Sequence, residues 1–593
     1  MTGKRSIWQV KKADQDKSRQ LAAALGVLPV TASILLNKGI TTPEEAQKFL
    51  SASLADLQNP NELPNLRAGA RRIKQAIVNG ENILIYGDYD VDGITGTVLL
   101  ADLLRRLGGK VNYYIPNRME EGYGLNKEAL VYAKETSTDL IVTVDCGISS
   151  VAEAALIIEM GMDLVITDHH QLPEQLPTAL AVINPKLAEE NKPWYDLSGV
   201  GVAFKVGQAV ASLFSQESIG EEYLDLVALG TIADIVPLRD ENRILAKAGL
   251  ERINNNQCRP GLQGLLKQTG LKGKELTSGH VGFILAPRLN ACGRLGKADL
   301  AVRLFLSNDL HEIEDICRIL EEENITRRQV EEKIYQEALE RLAQEEESEE
   351  NKLIFLSAPN WHPGVIGIVA SRLTEKYYRP TILLNLEEGI GRGSARSIPG
   401  FDLYQALEQV KEDLCKFGGH EMAAGLTLSE GKIPVVQKSL QEYACAVLDE
   451  KSLTPKLHID AEVAIEEINE QLVEEIQLLG PFGHGNPAPL FVLRNGCLAE
   501  VRKVGQEGKH LKLKVRAKNK QIDAIAFNCG EIYEEVGEWI RCDLVFQPQL
   551  NTYKGVTRVQ MQLQDLKNSV QPDDPYATLS FLEQLYLDGE IWL

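Results

Sequence analysis

The chain has 593 residues, enough for roughly three to five domains, because single hydrophobic cores stop growing well below this length. Its hydrophobic fraction of 44% is ordinary for a globular protein, and no apolar run reaches the ~18 residues that a membrane-spanning helix needs. The net charge of −21 does not exclude nucleic acid as a partner, since phosphate contacts depend on local lysine and arginine.

Residues 1–70 are predicted to form a small N-terminal helical segment. Thr41-Thr-Pro-Glu-Glu is typical of a helix start, with Pro43 early in the helix. The residues after Met1 lack the apolar stretch of a signal peptide, and the nine cysteines include no Cys-x-x-Cys pair. We therefore expect reduced thiols, a cytoplasmic protein and no membrane partner.

In the next segment, residues 71–300, acidic and histidine side chains follow short apolar runs. The runs 82–87, 139–144 and 163–167 are rich in β-branched residues and precede helical sequence, which predicts buried parallel strands. Because the carboxyl ends of parallel strands line one crevice, we expect the side chains that follow them to converge. Those side chains are Asp88, Asp90, Asp92, Asp145 and the triplet Asp168-His169-His170, joined by Asp234 in Thr-Ile-Ala-Asp-Ile-Val-Pro.

Such a group of side chains predicts a metal site. Carboxylates this close together repel one another unless cations lie between them. Aspartates with one or two imidazoles suit a pair of divalent ions, Mn²⁺ or Mg²⁺, better than zinc. Two such ions are the usual means of hydrolysing a phosphate ester or anhydride.

Each cluster also has a simpler interpretation. Asp88-Tyr-Asp-Val-Asp-Gly could be a Ca²⁺ loop, but such a loop needs a glutamate at its twelfth position, which is Leu99 here. Asp145 alone could cap a helix, and Asp168-His169-His170 alone could be a capped turn with a surface histidine. The repetition of strand, acid and helix makes coincidence a poor explanation for all the clusters together.

Residues 301–348 are predicted to form one long connecting helix. Much of the chain's acid lies between Glu321 and Glu350, and the apolar residues of this segment recur at helical spacing. The excess negative charge is therefore expected on a solvated helix.

Residues 349–450 are predicted to form a second α/β unit, with strands at 353–356 and 381–386 and a helix at 366–376. Two glycine-rich segments follow, Gly391-Arg-Gly-Ser-Ala-Arg-Ser397 and Phe417-Gly-Gly-His420, and both are predicted to be loops. Glycine lets backbone N–H groups approach phosphate oxygens, and arginine binds phosphate with two hydrogen bonds. The arginines Arg392 and Arg396 therefore favour a phosphate-binding role over ordinary turns.

Residues 455–566 contain five short strand patterns, at 490–494, 511–517, 522–527, 542–548 and 558–565, which predict an OB-type barrel. Lys512, Lys514 and Arg516 alternate with apolar residues, so they share one face of a strand with Lys518 and Lys520. A solvated face would explain any single pair, but five cations in one register favour a groove for nucleic acid. The tail, 567–593, ends in an apolar stretch that is either a docking element or core.

The motifs resemble those of a known family. Asp168-His169-His170 is the signature of the DHH phosphoesterases, whose other motifs the remaining acidic clusters match in order, and Gly418-Gly419-His420 is similar to the DHHA1 signature. Ser198–Phe204, Pro287–Arg294 and Trp361–Val369 resemble the RecJ branch, bacterial exonucleases specific for single-stranded DNA. The resemblance covers about residues 83–565. It implies an α/β protein with a parallel-sheet DHH domain, a long connecting helix, a DHHA1 α/β domain and a C-terminal OB-type β-barrel.

The resemblance also implies roles for individual residues. One ion would be held by Asp88, Asp90 and Asp145, and the other by Asp92, Asp145, His169 and Asp234. His170 would contact the scissile phosphate, and Asp168 would orient a histidine. The strand backbone would be held by Asn290, Arg294, Ser394, Arg396, Gly418, Gly419 and His420, with Lys512, Lys514 and Arg516 as further contacts.

Three functions agree with these residues. The first is a single-stranded-DNA exonuclease of 5′ to 3′ polarity, acting as a monomer in DNA repair and recombination with single-strand-binding protein and a RecQ-type helicase as partners. The second is a phosphoesterase for nanoRNA, cyclic dinucleotides or pyrophosphate, which would have no obvious use for the barrel. The third is a non-catalytic relative, against which the intact acidic positions argue.

Overall fold

The structure is a computed structural model that describes residues 6–117, 124–294, 296–344, 351–518, 520–537, 539–553 and 555–569. The strands are β1 Ile7–Val10, β2 Asn82–Gly87, β3 Lys110–Tyr114, β4 Leu140–Val144, β5 Asp163–Thr167, β6 Ala181–Ile183, β7 Ile354–Pro359, β8 Thr381–Glu387, β9 Ile390–Arg396, β10 Lys416–Gly419, β11 Ala423–Ser429, β12 Lys456–Ile459, β13 Ala461–Glu462, β14 Phe491–Val504, β15 His510–Ala517, β16 Lys520–Ala526, β17 Arg541–Tyr553 and β18 Val556–Asn568. The helices are α1 Gln15–Leu25, α2 Pro29–Asn37, α3 Pro43–Ser51, α4 Leu66–Asn79, α5 Val91–Arg106, α6 Lys127–Glu135, α7 Val151–Glu159, α8 Gly199–Leu213, α9 Leu224–Ala233, α10 Asp240–Asn254, α11 Pro260–Gln268, α12 Ser278–His280, α13 Ala286–Arg294, α14 Asp299–Leu306, α15 Leu310–Gln344, α16 Ile366–Tyr377, α17 Leu403–Glu408, α18 Ile433–Val447, α19 Glu470–Leu478 and α20 Tyr533–Gly537.

The chain divides into two compact units. The first takes the described residues of Met1–Ser51, Asp449–Gly480 and Ala488–Leu593, and the second takes those of Ala52–Leu448 and Pro481–Pro487. In the first unit β1 pairs in parallel with β12, so the N-terminal segment contains a strand besides its helices. Within the described residues, no single helix has the length and apolarity to cross a bilayer. Among these residues, only α1 and α2 taken together have sufficient length and apolarity, and this pair is bent by 112°.

The first sheet of the second unit is entirely parallel, in the order β3-β2-β4-β5-β6. Its central strands are buried on both faces. Ile83 and Ile85 of β2 pack into one hydrophobic cluster with α4, α5 and α8, while Leu84 and Tyr86 pack into another with α6 and α7. The predicted strands 82–87, 139–144 and 163–167 are confirmed as β2, β4 and β5.

The second sheet has the order β10-β11-β9-β8-β7, and only β7 and β8 are parallel. The prediction that Gly391–Ser397 and the Gly-Gly-His segment are loops is wrong, because 390–396 and 416–419 are strands β9 and β10. The glycines serve packing here: a Cβ on Gly393 would lie 2.3 Å from Leu384 Cδ2 and 2.7 Å from Leu426 Cδ2. Small residues on β9 therefore leave room for the leucines of its neighbouring strands.

The connecting helix is α15, which begins at Leu310 after the separate helix α14, while residues 345–348 lie outside the described ranges. Ile313, Ile316 and Leu320 join the core of the first sheet. Ile334 and Ala338 join the core beneath the second sheet. One helix therefore packs into both α/β cores.

The C-terminal sheet closes on itself as β14-β15-β16-β18-β17, with β17 also paired to β14. This is the predicted five-stranded OB-type barrel. Its strands β14, β17 and β18 are longer than the sequence patterns, and register shifts within β14 and β17 bend them around the barrel. The tail from residue 570 onward lies outside the described residues.

Candidate active site

The acidic clusters lie where the strand order of the parallel sheet reverses. β2 and β4 are neighbours, and the chain continues outward from them in opposite directions, to β3 and to β5. A crevice therefore opens outside the carboxyl ends of β2 and β4, where Asp88 and Asp145 follow. Asp90 caps α5, since its Oδ1 accepts hydrogen bonds from the backbone N of Asp92 (3.0 Å) and Gly93 (3.1 Å).

Asp92 lies inside the crevice and faces the start of α8. Its carboxylate accepts hydrogen bonds from the backbone N of Gly199 (2.5 Å) and Val200 (2.9 Å). Burial and the charge of Asp90 raise the pKa of Asp92 to about 7, although these two N–H groups favour the ionised form. A cation bound beside this carboxylate would stabilise its ionised form.

Asp145 is at the centre of the cluster, on a backbone with a φ of 64°. Its N–H donates to the carbonyl of Thr167 over 3.0 Å, which ties the end of β4 to β5. A Cβ on Gly199 would lie 2.6 Å from that of Asp145, so only glycine lets α8 approach so closely. Burial, followed by the charges of Asp92 and Asp90, raises the pKa of Asp145 well above its usual range.

His169 faces three of the aspartates. Its Nε2 lies 3.0 Å from Asp145 Oδ1, 3.6 Å from Asp234 Oδ2 and 3.8 Å from Asp92 Oδ2. Burial lowers the pKa of His169 to about 3, so the ring is neutral. Neutral imidazole is the form that binds metal ions.

Asp168 and His170 form a separate hydrogen-bonded pair. The fully buried carboxylate of Asp168 accepts from the backbone N of Ile148 (2.9 Å), His169 (2.7 Å) and His170 (3.0 Å), and its Oδ1 lies 2.8 Å from His170 Nδ1. Burial alone would lower the pKa of His170, but the hydrogen bond and charge of Asp168 outweigh it and raise that pKa. The imidazole is thus oriented by Asp168 while its side chain stays 42% exposed.

Together these side chains form three groups whose ligand atoms lie within 4.8 Å of one another. The groups are Asp88, Asp90 and Asp145; Asp92, His169 and Asp234; and Asp145, His169 and His170. Carboxylate oxygens with few imidazole nitrogens are the donors that suit Mn²⁺ and Mg²⁺. The donor set thus fits the predicted pair of ions, and Asp145 takes part in two of the groups.

A cavity of about 290 Å³ opens beside the metal ligands and is lined by Asp88, Tyr89, Asp90, His170, Asn290, Gly293 and Arg294. Helix α13 contributes its far wall. Asn290 Oδ1 accepts from the N–H of Val91 over 3.1 Å, and a Cβ on Gly293 would lie 2.4 Å from the Tyr89 carbonyl oxygen. Arg294 Nη1 donates to the carbonyl of Gly364 over 2.7 Å, which links this cavity to the turn between β7 and α16.

The predicted residues of the second sheet lie side by side on one of its faces. Gly418 of β10 is opposite Gly425 of β11, which is opposite Ser394 of β9, and Arg396 is two residues farther along β9. His420 follows β10 and donates its N–H to the carbonyl of Ala423, the partner of Arg396. Gly419 has a φ of 143°, and a Cβ there would lie 2.4 Å from the Ala423 oxygen, so this turn requires glycine.

The first turn of α16 lies against the same face. A Cβ on Gly367 would lie 2.8 Å from Ser394 Oγ and 3.1 Å from Arg396 Nη2. Arg396 Nη1 donates to Ser394 Oγ over 3.1 Å and to the Ala395 carbonyl over 2.8 Å. A helix N-terminus next to a serine and an arginine is a favourable place for a phosphate group.

Comparison with known proteins identifies the family. Models of the DHH family N-terminal domain, the DHHA1 domain and the RecJ OB domain match residues 82–231, 350–445 and 459–565. The single-stranded-DNA-specific exonucleases RecJ of Bacillus subtilis and Haemophilus influenzae are 40% and 37% identical to the chain, over 95% and 89% of it and 71% and 94% of their own lengths. The chain belongs to the RecJ family. The structure of RecJ with Mn²⁺ from Thermus thermophilus superposes with a TM-score of 0.82 at 32% identity, covering 96% of this chain and 80% of that one.

In this RecJ-family chain the barrel cations are paired with acids. Lys512 and Lys514 lie on the face opposite the buried Leu511 and Leu513, as predicted, with Arg516 exposed in the same register. However, Lys512 forms an ion pair with Asp523 (2.9 Å), Lys514 with Glu500 (2.8 Å) and Lys518 with Glu466 (3.3 Å). Much of the positive charge of this face is therefore offset by neighbouring strands.

Sequence reasoning assigned no role to the start of α8, although its backbone holds Asp92. Ser198-Gly-Val-Gly is distinctive in the sequence, and the first glycine is the residue that both donates to Asp92 and allows contact with Asp145. The sequence thus contained a sign of the site, namely two closely spaced glycines directly after the serine that caps α8. Only the fold shows which carboxylates they face.

Proposed function

We propose that this RecJ-family chain is a metal-dependent exonuclease that hydrolyses the phosphodiester bonds of single-stranded DNA from the 5′ end. The observation that carries the proposal is that six oxygen and nitrogen ligands converge at one crevice beside a glycine- and arginine-rich sheet face. The RecJ proteins to which the chain is similar are named single-stranded-DNA-specific exonucleases, which supports the substrate and the reaction.

The metal ligands are proposed to act as two sets that share Asp145. Asp88, Asp90 and Asp145 would hold one ion, and Asp92, Asp145, His169 and Asp234 would hold the other. In support, the ligand atoms of Asp88, Asp90 and Asp145 lie close together, as do those of Asp92, His169 and Asp234. When bound, the two ions would activate a water molecule and offset the negative charge of the reacting phosphate. The N–H groups of α8 keep Asp92 in place whether or not it carries a proton.

His170 is proposed to contact the scissile phosphate. Asp168 lies at hydrogen-bond distance from Nδ1, so the proton is kept on that nitrogen and the other ring nitrogen is available to the cavity. The raised pKa of His170 favours the charged imidazolium, which donates a hydrogen bond to the phosphate and offsets the developing charge.

The strand is proposed to be held by both α/β sheets. Asn290 and Arg294 line the catalytic cavity. Ser394 and Arg396 offer hydroxyl and guanidinium donors beside the first turn of α16, and Gly418, Gly419 and His420 lie next to them at the end of β10. Lys512, Lys514 and Arg516 form a second, weaker surface for nucleic acid, because two of the three are paired with acids.

The alternative is a phosphoesterase for nanoRNA or cyclic dinucleotides. One observation favours it: the ion pairs on the barrel weaken the argument that the barrel binds a long strand. The matched RecJ OB domain favours the exonuclease, since a small substrate needs no strand-binding barrel.

The cellular setting is part of the proposal. We infer a cytoplasmic monomer that acts in DNA repair and recombination on strands supplied by a RecQ-type helicase and covered by single-strand-binding protein. The family resemblance supports this setting. Sedimentation of the purified protein at a mass near 65.6 kDa would agree with it, and a stable dimer would contradict it.

End-labelled oligonucleotides test the proposal. The parent protein should shorten a single strand from its 5′ end with Mn²⁺ or Mg²⁺, leave a blunt duplex intact and be inactive in EDTA. Hydrolysis of dinucleotides without digestion of long strands would favour the small-substrate alternative instead.

A further inference from the structure

Two neighbouring rows of residues cross the second sheet, one of which contains Ser394. Gly418, Gly425 and Ser394, here called the serine row, occupy matching positions on β10, β11 and β9. Two residues along the same strands, Lys416 is opposite Thr427, which is opposite Arg392. This threonine row points to the same face, because side chains two residues apart on a strand share a face.

The threonine row borders a cavity of about 410 Å³. The cavity is lined by Pro363, Ile366, Arg392, Gly393, Lys416, Phe417, Gly418, Gly425, Leu426 and Thr427. A Cβ on Gly418 would meet no atom within 4 Å, and one on Gly425 would meet only the Gly393 oxygen, at 3.8 Å. The glycines therefore open space that a side chain would otherwise fill, and they leave backbone groups accessible.

The two cations of this row are not neutralised by acids. Among the residues that the structure describes, no carboxylate oxygen lies within 4.0 Å of the Arg392 guanidinium or the Lys416 ammonium. Other lysines of the same sheet domain are paired, Lys411 with Glu408 (2.8 Å) and Lys432 with Asp413 (2.7 Å). In a chain with a net charge of −21, two cations that line one cavity from either side of Thr427, with no carboxylate partner, indicate an anionic ligand.

The distance between the two rows indicates that the anionic ligand carries two phosphates. Two strand residues span about 6.8 Å, so a ligand with one phosphate at the serine row can place a second phosphate at the threonine row. We propose that Lys416, Thr427 and Arg392 form a second phosphate subsite of the substrate channel, an inference that rests on the proposed function. The second phosphate belongs either to a neighbouring nucleotide of the strand or to a 5′-polyphosphate end.

Arg392→Gln/Lys416→Gln tests this subsite, with Lys411→Gln/Lys438→Gln as a control that removes the same charge elsewhere in the domain. The substrates are a dinucleotide, a long oligothymidylate with a 5′-monophosphate, and the same strand with a 5′-triphosphate. Circular dichroism and thermal unfolding should show that the test variant is folded. The dinucleotide carries no 5′-phosphate, so it has a single phosphate and cannot place a second one at the threonine row; its hydrolysis therefore reports on the catalytic centre alone.

If the second phosphate comes from the strand, KM for the long 5′-monophosphorylated strand rises about tenfold and its salt slope falls by about 0.7, the value for one phosphate contact. If it comes from the end, only the 5′-triphosphorylated strand shows these changes. The subsite is overturned if the test and control variants match the parent on all substrates. Failure of the parent itself to digest any single strand overturns the proposed function, which distinguishes the two results.

Discussion

Two surfaces of this chain present cations that could meet nucleic acid, and they differ in how those cations are balanced. On the barrel, Lys512 and Lys514 each have a carboxylate partner within 3 Å. On the second α/β sheet, Arg392 and Lys416 have none within 4.0 Å among the described residues. Because a paired cation must first give up its partner, we expect the sheet to contribute more to phosphate binding than the barrel.

Both surfaces matter only if the metal ligands at the parallel sheet hydrolyse the strand, and the largest loss of activity is expected from changing one of those ligands. Asp145→Asn should lower hydrolysis of every substrate at least ~10³-fold, because the shared ligand of both ions loses its charge. Circular dichroism and thermal unfolding should show an intact fold. Hydrolysis within tenfold of the parent rate would show that Asp145 is not an essential metal ligand.

A second test separates the adjacent histidines. His169→Ala should lose metal affinity, measured by isothermal titration, because its Nε2 faces three aspartates. His170→Ala should bind metal like the parent but lose ~10²-fold or more in kcat, as expected when a proton donor to the phosphate is removed. Equal loss of metal in both variants would show that the proposed division of roles is wrong.

The third test addresses the two surfaces directly. Neutralising Lys512, Lys514 and Arg516 together removes three charges, which would flatten the salt slope of strand binding by about 2 if all three contacted phosphate. Since two of them are paired with acids, we expect a change smaller than the ~0.7 expected for Arg392→Gln/Lys416→Gln. A larger change for the barrel variant would reverse the comparison.

Sequence alone predicted the metal site more fully than the strand-binding surfaces, for a physical reason. The acidic residues follow runs of consecutive apolar residues, and such runs predict buried parallel strands. The convergence of the acidic residues at one edge of the sheet could therefore be inferred from the sequence. The pairing of Lys514 with Glu500, or the alignment of Lys416 with Arg392, depends on the register between strands. Register is set by turns and core packing, which a local pattern does not reveal.

The glycine segments illustrate the same limit. Gly391–Arg396 contains glycines that usually indicate turns, yet it is a strand, because Leu384 and Leu426 of the neighbouring strands occupy the space above Gly393. The phosphate-binding role inferred from Arg396 and Ser394 does not depend on the loop assignment. Arg392 gained a separate role only when its neighbours across the sheet were known.

The smallest expected effect concerns pH. Burial and the charge of Asp90 raise the folded-state pKa of Asp92 to about 7, whereas an unfolded aspartate has a pKa of about 3.9. Between these values the folded state holds a proton on Asp92 that the unfolded state has lost, so the contribution of Asp92 to the stability of the metal-free protein falls as pH rises through this window. His169, whose pKa is lowered to about 3, contributes with the opposite sign. The increase in Tm caused by Mg²⁺ should therefore be larger above pH 7 than near pH 5, and an increase independent of pH would contradict this.

The most direct test of the two-ion account is a titration of metal-free protein with Mn²⁺ in which bound metal and hydrolysis of a 5′-labelled single strand are measured together. We predict that two ions bind per chain and that hydrolysis follows occupancy of the second. Full activity with one bound ion, or hydrolysis in the presence of EDTA, would contradict the proposed centre formed by Asp88, Asp90, Asp92, Asp145, His169 and Asp234.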